Sequence, residues 1–285
     1  MLGKLLKYDM KPVFRVWWIL ALSVLALSVL IGIGSQVAVN LSHLHPSFEV
    51  LEIFAFLTFY MMFFGYFAFP LATCILVQLR FYRNFFTDEG YLTFTLPVKR
   101  STLFLSKFIN ALFWDMATIA VCIVSAILLF LFAPVFFDND PASPSLLISL
   151  LPDFFQEAIP DMITTLGGWL VLYIVEILIL IPLSSATNIL FLTLCITVGS
   201  VVAQKHKLLA AIGIYYGAQT VLSFFLSFLS FLPFFTLPFL FIGFAASSAG
   251  ITAMLLAFVC IFQGMLCVTL YLITLHLLER RLNLA

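Results

Sequence analysis

From Leu208 to Leu278 the chain carries no Asp, Glu, Lys or Arg, and several other long stretches are nearly as bare. A soluble domain built from such runs would leave wide apolar surfaces facing water. Hydrophobic residues make up 64% of the chain and charged ones 9%, against about 45–50% and about 25% in ordinary globular domains. The solvent that fits is a lipid bilayer. Thirty-four Phe residues, many of them clustered, suit lipid-facing helices.

A helix crosses ~30 Å of hydrocarbon with about 20 apolar residues. Backbone polar groups must be satisfied within the segment at that depth, so these runs read as helices. Six qualify, at roughly 17–38, 51–78, 103–133, 165–203, 208–231 and 250–278. The expectation is therefore an all-α, polytopic membrane protein, one transmembrane domain over 1–285. Between the fifth and sixth runs, 232–249 is apolar but interrupted by Pro233 and Pro238. It reads as a broken, re-entrant hairpin on the outer side, packed in protein.

Sidedness follows from Lys and Arg. With the N-terminus inside, all thirteen fall on the cytoplasmic side. They are Lys4, Lys7, Lys11 and Arg15; Arg80, Arg83, Lys99, Arg100 and Lys107; Lys205 and Lys207; and Arg280 and Arg281. The outer segments hold Glu49, Glu52, Asp138, Asp140, Asp153, Glu157 and Asp161, with no cation. Both termini are thus expected in the cytoplasm. The same rule makes 165–203 one long helix kinked near Pro182, since two crossings would carry Lys205 and Lys207 outside. The outer loop 134–164 contains SLLISLLPDFFQEAI, which has a helical apolar face and can lie on the membrane surface.

Lys4, Lys7, Lys11 and Arg15 recur every three or four residues, opposite Leu6, Met10, Phe14 and Trp17. Residues 1–16 read as an interfacial helix, with Trp17 and Trp18 at the headgroup boundary and Pro12 as a possible break. Four basic side chains and a first apolar run too long for a signal sequence argue that this end is retained.

Net charge is zero, which gives no argument for nucleic acid. The five cysteines lie singly in apolar runs and read as small buried hydrophobes. His43 and His45 alone do not make a metal site, which needs three or four ligands. Asp115 and Glu176 sit within spans, where acids face the bundle interior as functional groups or as hydrogen-bonded ties between helices. Gly213 and Gly217 form a GxxxG that lets another helix approach, within the bundle or from a second copy.

The segment FYRNFFTDEGYLTFTLPVKRS, Phe81 to Ser101, stands between two spans. It has aromatic residues at Phe81, Tyr82, Phe85, Phe86 and Tyr91, carboxylates at Asp88 and Glu89, a rigid Pro97, and cations at Lys99 and Arg100. Simple connections are shorter and more polar. It reads as an ordered amphipathic platform at the inner surface.

The stretch EGYLTFTLPVKRSTLFLSKFI resembles the segment between the second and third helices of ATP-binding-cassette (ABC) type-2 permeases. Glu89, Leu96, Pro97, Lys99, Arg100, Ser101 and Lys107 match that pattern. Gly199 to Leu209, GSVVAQKHKLL, is similar to the inner end of the fourth helix in some bacterial members, and the layout of the whole chain is alike. The resemblance implies a permease half in a bacterial plasma membrane, an exporter subunit that pairs with a second half, identical or not. Residues 80–101 would dock on a separate ABC ATPase. ATP and Mg²⁺ would bind that partner and not this chain. Consistently, Gly3-Lys4 lacks the upstream glycine and the hydroxyl of a phosphate-binding loop.

Two other classes remain. An immunity or assembly protein could hold cationic peptides at the acidic outer loops by charge. A membrane-embedded enzyme fits less well, because no HExxH, Asp-rich pair or Ser/His set lies within the spans.

Overall fold

Amides that cannot reach water bond within their own segment, and every long element among the described residues is a helix. The computed structural model describes residues 2–44, 49–87, 90, 95, 98–134, 146–203, 206–241 and 248–280. The helices are α1 (Leu2–Leu44), α2 (Glu49–Phe86), α3 (Arg100–Phe132), α4 (Leu146–Asp153), α5 (Ile159–Leu166), α6 (Trp169–Val202), α7 (Lys207–Phe241) and α8 (Ser248–Arg280). A π-helical turn, Phe154–Ala158, joins α4 to α5. Among the described residues five helices are long and apolar enough to cross a bilayer: α1, α2, α3, α6 and α8.

Several boundaries differ from the hydropathy reading. Residues 1–16 and 17–38 do not form separate helices; α1 is continuous through Pro12. Its buried face explains why. Asp9, Val13, Trp17, Ala21, Val24, Ser28, Gly32, Ser35 and Val39 are all buried, three or four residues apart. One stripe thus runs the length of both proposed pieces. Helix α2 likewise passes the end of the 51–78 run and continues to Phe86. Helix α6 is one helix that contains Pro182, and it starts at Trp169 after Gly167, whose φ is +52°. Where the sequence suggests a break at Pro233, helical backbone continues to Phe241, and 242–247 of the suggested hairpin lie outside the described residues.

The chain divides into two compact units, Lys7–Val77 with Phe113–Thr165, and Met1–Leu6 with Gln78–Leu112 and Leu166–Ala285. The first packs around Val13, Trp17, Ala21, Met62, Phe69, Trp114 and Leu129. Trp17 is its centre. Its ring lies 5.0 Å from that of Trp114, and its Nε1–H donates to Thr118 Oγ1 at 2.9 Å. Thr118 in turn donates to the Trp114 carbonyl at 2.7 Å.

Both units bury small polar residues among their apolar cores and leave many large apolar residues outside. Ser28, Thr73, Ser106, Thr118, Ser125, Thr197 and Thr274 are essentially fully buried, while Phe63, Phe67, Leu178, Val221 and Phe224 are more than half exposed. The buried hydroxyls bond their own helix, as Thr197 does to Thr193 O at 2.7 Å and Thr274 to Leu270 O at 2.7 Å. Water gives no reason for this arrangement. In lipid there is no hydrophobic drive between helices, so small residues that allow close approach collect at the contacts. The architecture is that of a multi-pass membrane protein.

Candidate functional site

The platform begins as the last turns of α2. Gln78 Nε2–H donates to the Ile189 carbonyl at 3.4 Å, and below it Phe81 and Phe85 are buried. Their rings are 4.9 Å apart, and Phe81 meets Phe104 of α3 edge-on at 6.3 Å. Phe104 then lies 5.2 Å from Tyr271 of α8. Leu103, Leu190, Ile196, Ala211 and Leu278 complete this core, so α2, α3, α6, α7 and α8 all meet at the foot of one unit. Tyr82 and Phe86, stacked at 6.0 Å, are half-buried at its edge.

The helix end is closed by Thr87, whose hydroxyl donates to the Arg83 carbonyl at 2.6 Å. The Gly90 amide returns to Thr87 O at 2.7 Å. Gly90 is required there, because a Cβ would stand 2.8 Å from the Phe85 carbonyl oxygen. Helix α3 starts at Arg100, its first turn bonded to the Lys99 carbonyl. Ser101 and Thr102 therefore lie inside that turn and do not cap it.

Arg100 reaches across to α8. Its Nη1 donates to Leu278 O at 3.1 Å and Glu279 O at 2.9 Å, carbonyls that the last turn of α8 cannot satisfy itself. A cation at this helix end also complements its dipole. The sequence assigns Arg100 to a partner subunit; the structure gives it an internal bond.

The proposed coupling residues thus divide. Phe81, Phe85 and Arg100 hold the platform in the chain. Tyr82, Phe86 and Lys99 have surface left for something else. Asp88, Glu89, Tyr91 and Pro97 lie outside the described residues. At the N-terminal end Lys4, Lys7, Lys11 and Arg15 are exposed. Trp18 is 48% exposed and stacks on Phe14, whereas Trp17 is in the core.

The two intramembrane acids belong to different units. Asp115 is half-buried and partnered. Glu176 is buried, and its Oε2 meets no hydrogen-bond donor among the described residues. Around it, the Cys260 thiol donates to the Glu176 backbone carbonyl at 3.8 Å, and the Tyr173 and Thr252 hydroxyls bond each other. Gly213 and Gly217 are exposed, and no other part of the described chain comes within 4 Å of where a Cβ would be. A close helix approach occurs at Gly199, where a Cβ would meet Ala211 backbone at 2.7 Å. No metal-binding cluster of His, Cys, Asp or Glu occurs among the described residues, and His45 lies outside them.

No protein-family model, curated protein or solved structure matches this chain.

Proposed function

We propose that this chain is the membrane-spanning half of an ATP-driven exporter of the ABC type-2 kind. It crosses the bacterial plasma membrane six times with both termini in the cytoplasm, and it pairs with a second half. Residues 80–101 take the stroke of a separate ATPase, which binds ATP and Mg²⁺.

The observation that carries this reading is the anchoring of the platform. An element that transmits displacement must be stiffly joined to the helices it moves. Phe81 and Phe85 are packed against Leu103, Phe104 and Leu278, and Arg100 is bonded to the end of α8. A push on this foot would reach five helices through side-chain contacts. A mere connector has no need of such a core. Tyr82, Phe86 and Lys99 are the groups free to meet the ATPase. Glu176, buried without a donor for one oxygen among the described residues, is the intramembrane group best placed for a role along a substrate path.

The test is assembly with a candidate ABC ATPase from the same organism, one encoded by a neighbouring gene being the first choice. Co-expressed in membranes and extracted in mild detergent, the two are expected to co-elute. The double variant Tyr82→Ala with Lys99→Glu is expected to release the ATPase while the permease remains folded. Separate elution of the unaltered proteins, with ATP hydrolysis indifferent to this chain, would overturn the reading.

A further inference from the structure

We propose that Leu146–Leu166 lies flat in the headgroup layer of the bilayer, as an amphipathic surface element linking α3 to α6. The conclusion rests on the membrane architecture and is independent of any ATPase.

Two periodicities coincide in this stretch. Ile148, Leu151, Phe155, Ile159, Met162 and Leu166 recur at steps of three and four. Asp153, Glu157 and Asp161 recur at every fourth place on the other side. Helical structure is continuous from Leu146 to Leu166 through the π-turn, in which the Ile159 amide bonds Phe154 O. The apolar and acidic residues therefore lie along a single rod.

Among the described residues, nothing covers the apolar side. The π-turn and α5 contain no buried residue, and Leu151, Phe155 and Met162 are 40%, 62% and 43% exposed. What covers it follows from chain continuity. Only Gly167 and Gly168 separate α5 from α6, and two residues reach at most about 7 Å. Helix α6 exposes Val171, Leu172, Ile174 and Val175 in its first two turns, so hydrocarbon extends to its start. The rod is thus held at the lipid boundary, where its apolar stripe enters the acyl region and its carboxylates stay in water. The rod ends at Gly167, whose positive φ is a conformation side chains resist. Trp169 sits at that joint, as aromatic residues do at the interface.

The experiment is spin labelling of the full-length chain, native cysteines replaced by alanine, in phosphatidylethanolamine–phosphatidylglycerol vesicles. Labels at Leu151→Cys, Phe155→Cys and Met162→Cys are expected to collide several-fold more with oxygen than with water-soluble nickel chelate. Labels at Asp153→Cys, Glu157→Cys and Asp161→Cys are expected to show the reverse. Uniform nickel access would place the rod in water. Low access to both reagents at the apolar sites would place protein, such as a second copy, over it. Either result overturns the proposal. Should the cysteine-free chain misfold, Phe155→Trp in the otherwise native chain gives a second reading. Its added emission should be quenched by shallowly brominated lipid, and quenching by aqueous iodide alone would contradict the assignment.

Discussion

At Glu176 a carboxyl oxygen is enclosed by protein without a donor among the described residues, an arrangement that costs about 1–3 kcal/mol wherever water is excluded. A residue kept only to tie helices together would have that bond made. Glu176→Leu is therefore expected to raise the thermal midpoint in detergent, or leave it unchanged, while export is lost. A fall in midpoint would assign Glu176 to structure. Arg100 gives the opposite case. Arg100→Ala removes both donors to the end of α8 and is expected to cost about 1 kcal/mol, since the group is partly solvated. Arg100→Lys should recover part of that loss. Thermal denaturation of the purified chain measures each. Trp17→Phe keeps the ring packing but removes the N–H donated to Thr118 Oγ1, whose bond to the Trp114 carbonyl remains, again for about 1 kcal/mol.

At the scale of elements, hydropathy located the helices but not their ends. It stops at charge, so it cut α2 near Arg80 and cut α1 at Trp17. The buried faces ignore those charges. In α2, Gln78, Phe81 and Phe85 carry a buried stripe past Arg80, because Arg80 and Arg83 lie on the opposite side of that part of the helix. That period was visible in the sequence and was masked by reading average hydrophobicity. Arg100's bond to α8 was not visible, since its acceptors are backbone carbonyls 178 and 179 residues away. The glycines show the same divide. GxxxG drew attention to Gly213 and Gly217, yet tight approaches are found at Gly199 against Ala211 and at Gly32 against Phe132. Gly199→Ala is expected to cost about 1–3 kcal/mol by overpacking. Gly213→Ala should stay within about 0.5 kcal/mol in the isolated chain. Melting curves of the two variants decide this, and equal losses would contradict the helix contacts described.

For the whole molecule, the decisive pattern is a strongly apolar exterior around cores that admit small hydroxyl residues, combined with cations gathered on one set of connections. Both follow from a solvent that rewards close helix approach and excludes charge. The membrane class was legible from composition alone. The function rests on which side of the bilayer the platform stands. The direct measurement is labelling of a single cysteine at Thr95, an exposed position on that platform, in a chain whose own cysteines are replaced. A membrane-impermeant maleimide added to intact cells should leave it unmodified, and the same reagent should modify it fully once the cells are opened. Modification in intact cells would put the platform outside, beyond reach of any cytoplasmic ATPase, and contradict the transporter reading.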